Sequence, residues 1–137
     1  MLDLVDLHIL DLLKKNCKMQ FRDIGEIVHL TGQDVSNRIS RMEAQGIITG
    51  YSVLLNDKLL SKAITAYLTI FMKTADHGAF HRFVKHNEAV VEANRISGDG
   101  CYLLKIQAHT TADLNTLLDE VLTYGNYRLM ISIGTLK

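Results

Sequence analysis

The spacing of the apolar residues changes once along this chain of 137 residues, and that change restricts the folds it can adopt. Before Gly46, apolar side chains recur every three or four residues, which is the period of an amphipathic helix. After Gly46, they mostly alternate with polar residues, which is the period of a β-strand. The sequence therefore predicts a helical first part and a second part of strands and helices, an α+β protein.

Three amphipathic helices are predicted before Gly46. Their apolar faces consist of Val5, Ile9, Leu12 and Leu13, then Phe21, Ile24, Ile27 and Val28, then Val35, Ile39 and Met42. Thr31 with Asp34 matches the capping signature at the start of the third helix better than Asp3 with Asp6 matches it at the first. Gly46 suits the C-terminal cap of the third helix.

The second part is predicted to contain a strand, a polar hinge and a domain of strands and helices. "IITGYSVLL" (residues 47–55) predicts a strand, and "NDKLLSK" (56–62) is typical of a polar hinge. From residue 63 onward the predicted order is β-α-β-β-α-β, the arrangement of a ferredoxin-like sheet. The predicted domains are a helix-turn-helix domain at 1–50, a strand and hinge linker at 51–62, and a ferredoxin-like domain at 63–137.

The stretch "ISGDGCYLLKIQA" (residues 96–108) contains a Gly-Asp-Gly between two apolar runs. A phosphate cradle needs glycines that lead from a strand into the N-terminus of a helix. Here they lead from strand to strand, which excludes a nucleotide-binding loop. The tripeptide is predicted to form the turn of a β-hairpin, in which glycine supplies positive φ angles.

The short connection "HLTG" between the second and third helices is typical of a helix-turn-helix DNA reader. Polar side chains on the free face of the third helix and its flanks are suited to reading base edges or holding phosphates. These candidate DNA-binding residues are Gln33, Ser36, Asn37, Arg38, Ser40 and Arg41. The alternative is a small helical bundle whose polar face is merely solvated.

The charge balance limits the affinity of a single copy for DNA. The chain has 15 basic and 15 acidic residues, and residues 18–45 carry equal numbers of each. Because neutralisation of phosphates dominates affinity for DNA, one neutral copy is expected to bind weakly. A DNA reader of this kind is expected to act as a multimer.

Taken together, three motifs resemble the Lrp/AsnC family of feast/famine regulators. They are "LDLVDLHILDLLKKN" at the start, "FRDIGEIVHLTGQDVSNRISRMEAQGIITGYSVLLN" through the helix-turn-helix, and "SGDGCYLLKI" in the hairpin. The resemblance spans essentially residues 1–137. It implies a transcriptional regulator of double-stranded DNA that forms dimers, often octamers, and frequently senses a free amino acid between subunits beside the hairpin.

By this resemblance, the candidate effector-binding residues are Gly98, Asp99, Gly100, Cys101 and Tyr102. The family often has a second acid where this chain has Cys101, and that acid suits the ammonium group of an amino acid. The alternative is that these residues form only a tight turn and a subunit contact. The sheet face opposite the helices is too apolar for solvent, and its candidate oligomer-interface residues are Thr65, Tyr67, Phe71 and Leu103.

Other functions are disfavoured by the sequence. No apolar run reaches the roughly 18 residues that span a membrane, and the acidic N-terminus is unlike a secretory signal, so a cytoplasmic location is expected. Cys17 and Cys101 suggest neither a disulfide framework nor a zinc site, and a semi-buried thiol is expected at Cys101. His77 and His81 have a spacing that can hold zinc, but a solvated helix face is expected.

No catalytic constellation, metal site or cofactor is predicted, and an enzyme is the most distant alternative. The second hypothesis is an oligomeric small-molecule-binding protein that has lost DNA binding, which the neutral charge of residues 18–45 favours.

Overall fold

A computed structural model describes residues 1–57, 59–60 and 64–137, which form two compact units, Met1–Leu54 and Leu55–Lys137. The predicted boundary between linker and ferredoxin-like domain, at residues 62 and 63, lies outside the described residues.

The first unit consists of the three predicted helices, α1 (Leu4–Lys15), α2 (Phe21–Val28) and α3 (Gly32–Ala44). Their apolar faces meet in one core, whose buried members are Ile9, Leu13, Ile24, Val28, Val35, Ile39 and Met42. The α2–α3 connection is tight because His29 adopts a left-handed conformation, with φ of 58°. Gly46 has φ of 69°, as expected of a glycine that ends a helix.

The capping interactions differ from their predicted ranking. At α1 the box is complete, because the Asp3 carboxylate accepts from the Asp6 amide and the Asp6 carboxylate accepts from the Asp3 amide. At α3 the Thr31 hydroxyl accepts from the Asp34 amide but donates to the Asp34 carboxylate, at 2.6 Å. The Asp34 carboxylate therefore bonds the hydroxyl rather than the amide of the capping residue.

The strand predicted over residues 47–55 is not present. An isolated strand leaves its backbone amides and carbonyls unpaired, and no described strand of this chain pairs with these residues. The segment is instead attached to α3 by a side chain, since the Tyr51 hydroxyl donates to Glu43 Oε1 at 2.7 Å. That hydrogen bond raises the pKa of Tyr51 to about 12.

The second unit has the predicted β-α-β-β-α-β order. Its elements are β1 (Ile64–Met72), α4 (Gly78–His86), β2 (Val90–Arg95), β3 (Tyr102–Ala108), α5 (Thr111–Leu122) and β4 (Gly125–Ile131). The strands form an antiparallel sheet in the order β2-β3-β1-β4. Both helices pack on one face of it, so the ferredoxin-like prediction is confirmed.

Alternation along β1 and β3 separates the two faces of this sheet, although Thr69 on β1 is buried as well. Ala66, Leu68 and Ile70 lie in the core under the helices, with Leu104 and Ile106 on the neighbouring strand. The residues between them point to the opposite face, which neither α4 nor α5 covers. This second face is called the open face below.

Candidate functional site

The free face of α3 presents short polar side chains. Because Val35, Ile39 and Met42 are buried, helical geometry places Gln33, Asn37 and Ser40 at the centre of the opposite side. Those three residues are exposed, and Ser36, at the edge of the core, is half-buried. Gln33 Nε2 donates to Asn37 Oδ1 at 3.1 Å, so the two amides form one polar surface near the start of the helix.

Arg38 and Arg41, predicted to bind DNA, both bond to α1. Arg38 Nη1 lies 2.7 Å from Asp3 Oδ2 and 2.8 Å from Asp6 Oδ1. Arg41 Nη2 lies 2.6 Å from Asp6 Oδ2. The Asp6 side chain is 0% exposed, so these guanidinium groups neutralise a buried carboxylate and fix α3 against α1.

Sequence reasoning missed this ion-pair network, although one signal of it was present. Asp6 precedes Ile9 by three residues and Leu13 by seven, which puts an acid on the apolar face of α1. A charged residue on such a face is almost never fully buried without a partner. A capping role, which is all that the sequence suggested for Asp6, does not predict that a cation pairs with its carboxylate.

The network shifts the pKa values of its members in the directions expected of ion pairs. The hydrogen bond from Arg38 lowers the pKa of Asp3 below its usual value, and the bond to Asp3 raises the pKa of Arg38. Burial favours a higher pKa for Asp6, but hydrogen bonds from Arg38 and the Asp3 amide outweigh it, so the pKa is lowered. Both acids are therefore ionised at neutral pH.

The hairpin between β2 and β3 folds onto the end of the open face. Gly98 and Gly100 have φ of 104° and 95°, as predicted for the turn. A Cβ on Gly100 would lie 2.6 Å from Thr69 Cγ2 and 3.6 Å from Phe71 Cε1. Of the candidate effector residues, Gly100 therefore adjoins the candidate oligomer interface, while Gly98 and Asp99 are exposed and Cys101 is half-buried, as expected for its thiol.

Tyr102 points away from the open face. Its side chain is in the core, and its hydroxyl lies 2.5 Å from His77 Nδ1 and 2.7 Å from His81 Nε2. His81 is exposed and His77 is half-buried, so the solvated face expected of this pair is found in part, but the i, i+4 spacing also brings both rings to one hydroxyl. Within the described residues, no three histidine, cysteine, aspartate or glutamate side chains are placed to hold a metal ion.

The predicted interface residues Thr65, Tyr67, Phe71 and Leu103 all lie on the open face. Tyr67 is 36% exposed and faces Met130, which is 47% exposed, across the β1–β4 pair. The Arg128 guanidinium lies 5.7 Å from the centre of the Phe71 ring. The open face is thus apolar and aromatic at Tyr67, Met130 and Phe71, and the Arg128 guanidinium lies beside the Phe71 ring.

No helix in the described ranges is long and apolar enough to cross a membrane.

Two families match the two parts of the chain. Residues 2–43 match the AsnC-type helix-turn-helix domain, and residues 65–137 match the Lrp/AsnC ligand binding domain. The chain is 43% identical to the HTH-type transcriptional regulator LrpB of Bacillus subtilis, over 99% of this chain and 91% of that protein. It is 34% identical to LrpA of the same organism, over 98% of this chain and 99% of LrpA.

Solved structures show the same fold. The structure of Bacillus subtilis LrpC has a TM-score of 0.93 at 25% identity and covers 100% of this chain and 98% of LrpC. A transcriptional regulator from Neisseria meningitidis, solved in complex with L-Met, has a TM-score of 0.92 at 21% identity, covering 100% of this chain and 93% of that one. The matched families and relatives are transcriptional regulators rather than enzymes.

Proposed function

Because the chain belongs to the Lrp/AsnC family of transcriptional regulators, we propose that it binds specific double-stranded DNA as a homo-oligomer and responds to a free amino acid. The observation that carries the proposal is the exposed amide pair Gln33 and Asn37 on the free face of α3. Amide side chains can bond the edge of adenine with two hydrogen bonds, and the N-terminal half of a recognition helix lies closest to the bases.

Base reading is assigned first to Gln33, Asn37 and Ser40, with Ser36 at the edge of the contact. Arg38 and Arg41 are engaged by Asp3 and Asp6. Replacing either arginine is expected to disturb the fold as well as any DNA contact. Replacing Gln33 and Asn37 tests DNA reading without removing an ion pair that holds α3.

The experiment is an electrophoretic mobility shift with the DNA upstream of the protein's own gene. Each well-made bidentate contact contributes about 1–3 kcal/mol of discrimination, so Gln33→Ala/Asn37→Ala is expected to weaken binding to the specific site at least about fivefold. Binding to unrelated DNA, which depends on phosphate contacts, is expected to change little.

Gln45→Ala is the matched control, because Gln45 is an exposed amide at the opposite end of α3. Equal losses in both variants would contradict the assignment. Absence of any wild-type shift at low salt would favour the alternative, an oligomeric small-molecule-binding protein that has lost DNA binding.

The open face supports the homo-oligomer. Tyr67, Phe71 and Leu103 form an apolar area that neither α4 nor α5 covers. A second copy can bury such a face by sheet-to-sheet packing. Light scattering is expected to show a dimer or a larger assembly, and Tyr67→Lys is expected to shift it toward the single chain. A wild-type monomer would refute this part of the proposal.

An amino-acid effector is supported by the position of the hairpin beside the open face. Asp99 is an exposed carboxylate there, suited to an ammonium group, and the turn at Gly100 lies close to Thr69 and Phe71. The Neisseria regulator that shares this fold was solved with L-Met. A thermal-shift screen of the amino acids is expected to find a ligand that stabilises the wild type but not Asp99→Asn. If no amino acid stabilises the wild type, the effector proposal fails.

A further inference from the structure

Asp3 uses its two carboxylate oxygens for two separate tasks. Oδ1 accepts from the Asp6 amide at 2.8 Å and caps α1, while Oδ2 accepts from Arg38 Nη1 at 2.7 Å. The cap therefore does not depend on the arginine. Asp3 can release Arg38 and still begin the helix.

The two acids bound to Arg38 differ in their access to water. The Asp3 side chain is 53% exposed, whereas the Asp6 side chain is 0% exposed and also bonds Arg41. Exposed ion pairs exchange partners at little cost, but a buried carboxylate cannot lose its cation without a large penalty. Only the bond between Asp3 and Arg38 is suited to exchange.

Arg38 lies on a flank of α3 beside the DNA-reading face. It follows Asn37 directly and its side chain remains 26% exposed. A helix with side chains is about 10–12 Å wide, and the major groove is about 12 Å wide, so the flanks of an inserted helix lie near the phosphates along the groove edges. A guanidinium on such a flank is placed to receive a phosphate oxygen.

We propose that Asp3 is an internal counter-ion that occupies, on Arg38, the position a DNA phosphate takes in the complex. This inference rests on the proposed insertion of α3 into the major groove. On binding, the phosphate replaces the Asp3 carboxylate, while Asp6 keeps Arg38 and Arg41 aligned. Asp3 thus lowers affinity for DNA without contacting a base, and it lowers specific and non-specific affinity alike.

The test is Asp3→Asn, measured by fluorescence anisotropy with the specific duplex at several salt concentrations. Asparagine caps helices about as well as aspartate, so α1 is expected to remain stable. Freeing one guanidinium is expected to tighten binding about three- to tenfold at low salt. The slope of log affinity against log salt is expected to steepen by up to about 0.9, because in the wild type the released Asp3 carboxylate offsets part of the cation release at that phosphate.

Asp11→Asn is the matched control, because it removes the same charge from an exposed position on the same helix. It is expected to leave the salt slope nearly unchanged. Equal slopes in wild type and Asp3→Asn, or the same steepening in both variants, would overturn the proposal.

Thermal unfolding of Asp3→Asn decides whether a second variant is required. If its melting temperature falls by more than a few degrees, Asp3→Ser replaces it, because serine caps the helix but is too short to bond Arg38. The same steepening of log affinity against log salt is then expected of Asp3→Ser, and an unchanged slope would overturn the proposal. Failure of the wild type to bind DNA would refute the proposed function itself, whereas wild-type binding with an unchanged slope in the variant refutes only this inference.

Discussion

Arg41 Nη2 lies 2.6 Å from Asp6 Oδ2, a contact between a half-exposed guanidinium and a fully buried carboxylate. With Arg38 on the other oxygen, it joins the first and last helices of the N-terminal unit. Arg38 and Arg41, which the sequence predicts to bind DNA, therefore also hold α3 in place. A substitution at either arginine is therefore expected to change the stability of this unit as well as any contact with DNA.

Loss of both arginines is expected to destabilise the N-terminal unit strongly. Arg38→Ala/Arg41→Ala leaves Asp6 buried without a cation, and breaking a buried pair in this way costs about 3–5 kcal/mol. Urea unfolding followed by circular dichroism measures the change. Arg22→Ala is the control, because Arg22 makes only exposed ion pairs, at 3.8 and 3.9 Å, and is expected to cost less than about 1 kcal/mol. Similar losses in both variants would contradict a structural role for the network.

Acid is expected to weaken the same unit. The pKa values of Asp3 and Asp6 are lowered in the folded state, so the network contributes its full stability above the ordinary aspartate value of 3.8. That contribution is lost as the pH falls through the lowered pKa values, because protonated acids no longer pair with arginine. Unfolding free energies measured between pH 6 and about 3 are expected to decline below about pH 4. Asp6→Asn is expected to flatten that decline, and an unchanged decline would argue against the assignment.

Apolar periodicity was sufficient to predict most of the fold, because local spacing determines which side chains share a face. The network around Asp6 required more, since its partners lie 32 and 35 residues away in the sequence. Tyr102 illustrates the same limit, because alternation places it on β3 but does not show that His77 and His81 reach its hydroxyl. Residues 47–55 show the converse, since their pattern favours a strand whose backbone has no partner among the described strands.

The two turn glycines of the hairpin are expected to differ in their tolerance of alanine. Both have positive φ, but a Cβ on Gly98 meets nothing within 4 Å, whereas one on Gly100 lies 2.6 Å from Thr69 Cγ2 and 3.1 Å from the Ile70 carbonyl. Strain at positive φ costs about 1–3 kcal/mol. Gly100→Ala is expected to lose clearly more stability than Gly98→Ala in urea unfolding. Equal losses of stability would contradict the close contact between Gly100 and Thr69.

The Tyr102 hydroxyl is expected to stabilise the protein through its hydrogen bonds to both His77 and His81. Its single proton is donated to one ring, and its oxygen accepts from the other, so one hydroxyl satisfies two imidazoles of α4. Tyr102→Phe keeps the packing against Phe80, at 4.9 Å between ring centres, and removes only these hydrogen bonds. A loss of about 1–3 kcal/mol is expected in urea unfolding, together with shifted nitrogen resonances of His77 and His81 in NMR spectra. Tyr127→Phe is the control, because the Tyr127 hydroxyl makes no hydrogen bond within residues 64–137, and an equal loss there would contradict the shared bond.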